Sequence, residues 1–251
     1  MKTLVTGNRK GGVGKTTTTL NLGAILASRW NRKVLAIDLD DQGNLTRGLG
    51  VKKVVTKNTI YPVLSGFAAL PDVVVNTYIE NLYLCPANQS LKAAELELPI
   101  KEANDIIENY KTVLKGALEE VSAFFDVCLI DLSPSLGALV LNGLEAADTL
   151  LVPIPPGLYE MEGLEILLPH TKCPHYIVRT RYDKRQGVHR QMSAFIEKKF
   201  NGAILNTVIR ENTDIQKGVA DGKDVLTFDE QSKGARDYLS LTKELVDMGV
   251  V

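Results

Sequence analysis

A glycine-rich stretch at residues 8–17, Asn-Arg-Lys-Gly-Gly-Val-Gly-Lys-Thr-Thr, constrains the fold more than any other part of the sequence. It follows a short apolar run that contains Leu4 and Val5, and it precedes an Ala/Leu-rich segment from Thr18 to Trp30. This order predicts a strand, a glycine loop and a helix. Because glycines allow successive backbone N–H groups to converge on an anion, and because a helix N-terminus carries partial positive charge, the stretch is typical of a phosphate-binding loop.

The predicted loop also supplies the side chains that a bound triphosphate needs. Lys15 can reach the β- and γ-phosphates, and the Thr16 hydroxyl can occupy a position on Mg²⁺. We therefore expect phosphate contacts from the loop as a whole, namely Lys10, Gly11, Gly12, Val13, Gly14, Lys15, Thr16 and Thr17.

The loop departs from the usual P-loop pattern at its start. Arg9 stands where that pattern has its first glycine, and Lys10 opens the loop. The segment K-G-G-V-G-K-T-T resembles the deviant Walker A motif of the ParA/MinD family of ATPases, and the chain looks closest to small ParA-type partition ATPases without an N-terminal helix-turn-helix. The resemblance implies ATP and Mg²⁺ as ligands. It also implies that Lys10 reaches across a dimer interface to the partner's nucleotide, and that Lys10, Lys15 and Asp40 are the catalytic residues.

Acidic residues follow a buried-strand pattern shortly after the first helix. Val34 to Ile37 is a continuous apolar run, as expected for a parallel strand that is buried on both faces, and it ends in Asp38, Asp40 and Asp41. Alternation places Asp38 and Asp40 on one face. The segment resembles the family's D-x-D-P-Q-G-N, with Asp41 in place of the proline. The resemblance implies that Asp38 helps to hold Mg²⁺ through water and that Asp40 positions the attacking water.

A second apolar run, residues 124–130, ends in Asp131. A carboxylate at a strand end opposite the phosphate loop is what a Walker B strand needs to hold the water shell of the metal ion. Together with Thr16 and Asp38, Asp131 completes the predicted metal site. Upstream of this run, the apolar spacing over residues 104–123 predicts one long helix.

The resemblance also implies an adenine pocket near the ends of two later strands. Residues 206–215 correspond to the family's I-P-R-N-x-x-L segment, with Arg210 in place of the proline and Glu211 in place of the arginine. We expect base contacts from Arg181, Ile209 and Arg210.

Basic residues are concentrated between Tyr176 and Lys199, where seven Lys and Arg side chains accompany only two acidic ones. Such a segment is typical of non-specific contact with a nucleic-acid backbone. The alternatives are a solvated helix face and, for Arg179 and Arg181, a place beside the base. Asp214, which stands where DNA-binding relatives carry a basic residue, counts against DNA binding. The candidate DNA contacts are Arg179, Lys184, Arg185, Arg190, Lys198 and Lys199.

The whole chain sets limits on these predictions. Its 251 residues, 45% apolar and 24% charged, are consistent with one α/β domain spanning 1–251, and the formal net charge of −1 excludes a globally basic DNA-coating protein. Three cysteines without a C-x-x-C pair indicate neither a disulfide framework nor a zinc site, and Cys128 is expected in the core.

No apolar run approaches the roughly 18–20 residues that span a bilayer. We expect no signal peptide and a cytoplasmic, nucleoid-associated protein.

We therefore expect a doubly wound, mostly parallel sheet flanked by helices, the P-loop NTPase fold, with the nucleotide at the carboxyl ends of the strands. By the resemblance, the protein hydrolyses ATP slowly in a nucleotide-sandwich homodimer, binds non-specific DNA, and segregates a plasmid or chromosome with a ParB-like adaptor.

Three alternatives remain open on the sequence. A ParA-like ATPase could position a protein organelle or cluster, such as carboxysomes, instead of DNA. A MinD-like membrane switch requires a basic amphipathic C-terminal helix, whereas residues 243–251 contain one lysine and two acids, so we expect no membrane partner. An iron–sulfur carrier of the same superfamily requires cysteines at the dimer interface.

Overall fold

The protein is built on an eight-stranded sheet with the order β3-β4-β2-β5-β1-β6-β7-β8. The computed structural model describes residues 1–200 and 202–251, apart from the side chains of residues 158–160. Neighbouring strands are parallel, except that β3 runs antiparallel to β4. The strands are β1 (Lys2–Thr6), β2 (Val34–Leu39), β3 (Val75–Asn76), β4 (Leu82–Cys85), β5 (Val127–Leu132), β6 (Thr149–Ile154), β7 (His175–Tyr182) and β8 (Ile204–Arg210).

Helices cover both faces of this sheet. Alternate residues of β2 and β5 enter two separate hydrophobic clusters, one containing helices α1 and α11 and the other containing α4 to α7. The expected doubly wound, mostly parallel sheet is therefore confirmed. The helices are α1 (Lys15–Trp30), α2 (Asn44–Gly48), α3 (Ile60–Leu64), α4 (Leu91–Ala103), α5 (Val113–Val121), α6 (Ala138–Ala146), α7 (Leu158–Leu167), α8 (Gly187–Lys199), α9 (Thr213–Ala220), α10 (Val225–Asp229) and α11 (Lys233–Asp247).

The predicted helix over residues 104–123 is wrong in its first half. Helix α4 ends at Ala103, and α5 begins only at Val113. Between them Asp105 adopts a left-handed backbone conformation with φ 55°, which an α-helix does not accommodate. Asn109 then begins a short 3₁₀ turn by accepting a hydrogen bond from the backbone N–H of Lys111. The helical spacing of apolar residues therefore continued across residues 104–112, which are not part of an α-helix.

The cysteines take no part in cross-links. Cys128 is fully buried in the core, as expected from the sequence, and Cys85 is buried as well. Burial raises the pKa of both thiols because it disfavours the thiolate, so both are protonated core side chains. Cys173 is free and partly exposed. Over residues 1–200 and 202–251, no helix is long and apolar enough to cross a membrane.

Candidate nucleotide site

The glycine loop lies at the carboxyl edge of the sheet, where β1 ends between β5 and β6. In open α/β sheets, ligands bind at this edge, in the crevice at the topological switch point where the strand order reverses. A cavity of about 980 Å³ opens here. It is lined by loop residues, by the segments that follow β2 and β5, and by the turn after α9, including Gly11, Lys15, Thr16, Asp40, Asn44, Ser133, Ser135 and Gly222.

The loop conformation requires glycine at two positions. Gly12 and Gly14 have φ 73° and φ 98°, a left-handed region that side-chain-bearing residues rarely adopt. Gly14 caps α1 without any side-chain hydrogen bond, so the first backbone N–H groups of the helix remain available to an anion. Val13 is buried, and its carbonyl accepts a hydrogen bond from Thr180 Oγ1 at 2.8 Å. The later strand β7 thus anchors the loop.

Lys15 is held inside this loop. Its Nζ donates a hydrogen bond to the carbonyl oxygen of Lys10 at 3.0 Å, and the residue is 7% exposed. Burial lowers the pKa of Lys15, while the nearby carboxylates of Asp131 and Asp40 act in the opposite direction. The Lys15 ammonium therefore lies in the loop near the carboxylates of Asp131 and Asp40, and its contact with the β- and γ-phosphates remains a prediction.

Asp38 ties the segment after β2 to the sheet. Its Oδ2 accepts hydrogen bonds from the backbone N and the Oγ1 of Thr46 at 2.9 and 2.7 Å, and its Oδ1 accepts one from the N–H of Asp40 at 3.1 Å. Complete burial raises the pKa of Asp38 to about 6, although the Thr46 hydrogen bonds favour the charged form. The carboxylate therefore fixes the start of the segment that carries Asp40. Its predicted water-mediated contact with Mg²⁺ remains a prediction.

Asp40 lines the cavity itself. It is 8% exposed, and its Oδ1 accepts a hydrogen bond from the N–H of Gln42 at 2.9 Å. Asp41, which replaces the proline of the family pattern, also lines the cavity and pairs with Lys92 at 3.3 Å. Positioning of the attacking water by Asp40 remains a prediction.

Asp131 is fully buried, and within the described part of the chain neither of its carboxylate oxygens has a hydrogen-bond partner. Burial raises its pKa well above the ordinary value, and the negative charge of Asp38 adds to this effect, whereas the Thr16 hydroxyl and Lys15 oppose it. An unsatisfied buried carboxylate is costly, and a hydrated cation would satisfy it. The residues present therefore fit Mg²⁺.

The donor set indicates indirect coordination of such a cation. Among the residues that the structure describes, no three His, Cys, Asp or Glu side chains cluster as direct metal ligands. Mg²⁺ usually keeps several waters and takes few protein ligands when it accompanies nucleotide phosphates. Coordination of Mg²⁺ by Thr16, Asp38 and Asp131 remains a prediction.

Arg181, Ile209 and Arg210 were predicted to contact the base, and all three line one smaller cavity of about 180 Å³. Gly12, Gly14 and Thr17 also line this cavity. Arg181 has φ 51°, and its Nη1 donates to the Gly12 carbonyl at 3.4 Å. Arg210 pairs with Asp237 at 2.6 Å, and Ile209 is buried beneath it. No sequence pattern pointed to Asp237, which lies 27 positions from its partner. Base contact by Arg181, Ile209 and Arg210 remains a prediction.

The basic segment does not form one patch. Helix α8 runs from the carboxyl end of β7 to the amino end of β8, so its two ends lie at opposite edges of the sheet. Arg190 donates to the carbonyls of Lys184 and Arg185 at the nucleotide edge. Lys198 and Lys199 lie about 12 Å further along the helix, at a rise of 1.5 Å per residue. Lys199 also pairs with Glu165.

Arg179 is misplaced among the candidate DNA contacts. Its side chain is 12% exposed, and its guanidinium group donates to Ser193 Oγ at 2.8 Å and to the Leu205 carbonyl at 3.0 Å while pairing with Glu197. These contacts join β7, α8 and β8, so Arg179 has a structural role.

Comparison with known proteins agrees with this geometry. Residues 1–180 match the family model described as AAA domain. The chain is 36% identical to the sporulation initiation inhibitor protein Soj of Bacillus subtilis, over 96% of this chain and 97% of that protein. It is also 36% identical to the chromosome-partitioning ATPase Soj of Treponema pallidum, over 98% of this chain and 97% of that protein.

Two solved structures share the fold along almost the whole chain. Apo McdA of Cyanothece is 25% identical, with a TM-score of 0.85 over 98% of this chain and 99% of that one. Cobyrinic acid a,c-diamide synthase of Mycobacterium smegmatis, solved with a bound ATP analogue and magnesium, is 30% identical, with a TM-score of 0.82 over 99% and 96%. With a family model that matches well over half of its length and relatives above 30% identity along nearly all of it, the chain belongs to the ParA/MinD family of P-loop ATPases and is Soj-like.

Proposed function

We propose that this chain is a single ParA-type ATPase domain that dimerises with ATP, binds non-specific DNA, and segregates a plasmid or chromosome with a ParB-like adaptor. The observation that carries the proposal is that Lys15 and Asp40 line one cavity, with the unsatisfied Asp131 buried near Lys15, in a loop that begins with Lys10. The partitioning role named for the Treponema relative supports the choice of cargo. Such a protein would work in the cytoplasm, on the nucleoid.

Hydrolysis would depend on positioning and on charge neutralisation. The loop N–H groups and Lys15 hold the β- and γ-phosphates, and Asp40 orients the attacking water. Thr16 and Asp131 would hold Mg²⁺, which supplies positive charge to the phosphate oxygens. Asp38, through Thr46, keeps the segment that carries Asp40 against the sheet.

The partner subunit would complete the site. Lys10 from one protomer would place its ammonium beside the triphosphate of the other, where charge develops during phosphoryl transfer, as an arginine finger does. Because the γ-phosphate then forms part of the interface, ATP favours the dimer and hydrolysis releases it. The protein would act as a switch.

For DNA contact we propose Lys184, Arg185 and Arg190, which lie at the nucleotide edge, with Lys198 and Lys199 as a separate group. Arg185 is 86% exposed although it pairs with Asp183, and an exposed ion pair of this kind contributes little stability. Its guanidinium can therefore exchange that carboxylate for a phosphate. Asp214 lies in the first turn of α9, which Asn212 caps, and pairs with Lys217 at 3.8 Å.

Filter binding with random-sequence DNA over a salt series tests this proposal. We expect retention with ATP and none with ADP, and affinity that falls steeply as salt increases. The Asp40→Ala variant, which should bind ATP without hydrolysing it, is expected to stay on DNA longer than the wild type. Equal retention with ATP and ADP at low salt, or none with either, would contradict the proposed switch.

Positioning of a protein organelle or cluster by the same ATPase is a second candidate. The likeness to McdA and the acidic Asp214 favour it. The neighbouring gene distinguishes the two: a small basic DNA-binding protein indicates partition, and a shell-associated protein indicates organelle positioning.

A further inference from the structure

The backbone of Lys10 is held by a buried side-chain amide. Asn8 is 2% exposed. Its Oδ1 accepts a hydrogen bond from the N–H of Lys10 at 3.0 Å, and its Nδ2 donates one to the carbonyl of Pro153 at 3.0 Å. Pro153 belongs to β6, the strand beside β1. One amide thus joins the entrance of the phosphate loop to the neighbouring strand.

Helix α7 packs against this amide through a residue without a side chain. A Cβ at Gly163 would lie 2.5 Å from Asn8 Oδ1, 3.2 Å from Lys10 Cγ and 3.3 Å from the Lys10 nitrogen. The first distance is shorter than real Cβ contacts allow, and the other two are tight. Gly163 lies inside a helix and has ordinary backbone angles. Glycine is therefore needed at this position because there is no room for a side chain, and not because the backbone conformation requires it.

We propose that Asn8 and Gly163 are positioning residues for Lys10. They fix both the point at which its side chain leaves the loop and the direction of its first carbons, and thereby place the ammonium for the partner's triphosphate. This inference rests on the proposed action of Lys10 across the dimer interface. It adds two residues, one in the loop and one in α7, on which that action depends.

A general structural role for these residues makes a different prediction. The carbonyl of Lys10 accepts the hydrogen bond from Lys15, so a loop that is displaced as a whole would damage the protomer's own site. If only the direction of the Lys10 side chain changes, the protomer's own site stays intact and only the partner's site is impaired. Activity in mixed dimers separates these two cases.

The variants are Gly163→Ala and Asn8→Ala, with Gly116→Ala as the matched control. Gly116 also lies inside a helix, α5, but a Cβ there would meet nothing within 4 Å. We expect Gly163→Ala to lower the ATPase rate roughly ten- to a hundredfold, since small misplacements of reacting groups have effects of that size. We expect the control to stay within about twofold of wild type. Binding of ATP by the isolated protomers should be retained in all three variants.

Trans-complementation provides the decisive measurement. Gly163→Ala and Asp40→Ala protomers are mixed as monomers before ATP is added. In the mixed dimer, the site on the Gly163→Ala protomer keeps its own Asp40 and receives a correctly placed Lys10 from the other subunit. We expect the ATPase activity of the mixture to exceed that of either variant alone. Lys10→Ala mixed with Asp40→Ala serves as the positive control.

The outcomes are distinguishable. Complementation by Lys10→Ala but not by Gly163→Ala would overturn the positioning role while leaving the proposed function intact. Failure of the Lys10→Ala control would overturn the action across the interface and, with it, this inference. Asn8→Ala removes the same contact without adding volume, so it carries the same test if Gly163→Ala fails to fold.

Discussion

Asp38 and Asp131 stand opposite each other in the register of β2 and β5, both fully buried, yet only Asp38 has hydrogen-bonded carboxylate oxygens. Neighbouring parallel strands bring the two side chains to one edge, where the negative charge of Asp38 raises the pKa of Asp131 alongside the larger effect of burial. The satisfied carboxylate organises the protein, and the unsatisfied one is left for a cation. This division of roles leads to the first two predictions.

Asp131→Asn should separate metal binding from stability. The substitution removes a buried, unpaired carboxylate whose burial costs about 1–3 kcal/mol, so the melting temperature in magnesium-free buffer should be unchanged or higher. Each kcal/mol corresponds to about 2–4 °C for a protein of this size. Magnesium-dependent ATP hydrolysis should fall at least about a hundredfold. A melting temperature well below wild type in chelator would mean that Asp131 has a structural role instead.

Thr46→Val should destabilise the protein because it removes two buried hydrogen bonds at once. The hydroxyl donates to Asp38 at 2.7 Å and accepts from the N–H of Ala87 at 2.9 Å. We expect a loss of about 2–3 kcal/mol in the free energy of unfolding, measured by urea denaturation. Thr56→Val, at an exposed threonine, should stay within about 0.5 kcal/mol of wild type. Equal effects at the two positions would show that the Asp38 contacts contribute nothing.

Arg179→Ala should act on stability and not selectively on DNA. It removes the guanidinium group from Ser193 and Glu197, which keep only their own hydrogen bond at 3.3 Å, and it breaks the contacts between β7, α8 and β8. We expect the free energy of unfolding to fall by about 1–2 kcal/mol, because the hydrogen bonds to Ser193 Oγ and the Leu205 carbonyl are lost, whereas Glu197 is half exposed and its ion pair contributes little. A variant that is as stable as the wild type but has lost its DNA binding would show that Arg179 contacts DNA.

Lys184→Ala should weaken DNA binding similarly for all sequences. Removal of one phosphate contact is expected to reduce the slope of log affinity against log salt by about one. Lys198→Ala, at the opposite edge of the sheet, is the informative comparison. A change in slope at position 184 but not at 198 would restrict the DNA surface to the nucleotide edge, and no change at either would remove the α8 region from DNA binding.

The sequence was most informative where a local pattern carries the chemistry. The loop from Lys10 to Thr17 and the apolar runs ending in Asp38 and Asp131 were predictable because consecutive residues determine a strand, its end and a glycine turn. The residues that hold these groups in place were not, since they come from distant segments: Thr180 anchors the loop from β7, and Gly163 from α7.

The two errors have related physical causes. Apolar spacing over 104–123 could not register the left-handed Asp105 that separates α4 from α5. The density of positive charge around Arg179 did not show that its guanidinium is buried between two strands and a helix. Periodicity and net charge describe a segment by itself, whereas both outcomes depend on what the segment packs against.

Sedimentation velocity tests the central claim most directly, that Lys10 serves the nucleotide of a second subunit. In the Asp40→Ala background, which should keep ATP intact, we predict a dimer with ATP and a monomer with ADP. Adding Lys10→Ala should leave a monomer that still binds ATP. A Lys10→Ala protein that dimerises as strongly as its parent, or a parent that stays monomeric with ATP, would contradict the account.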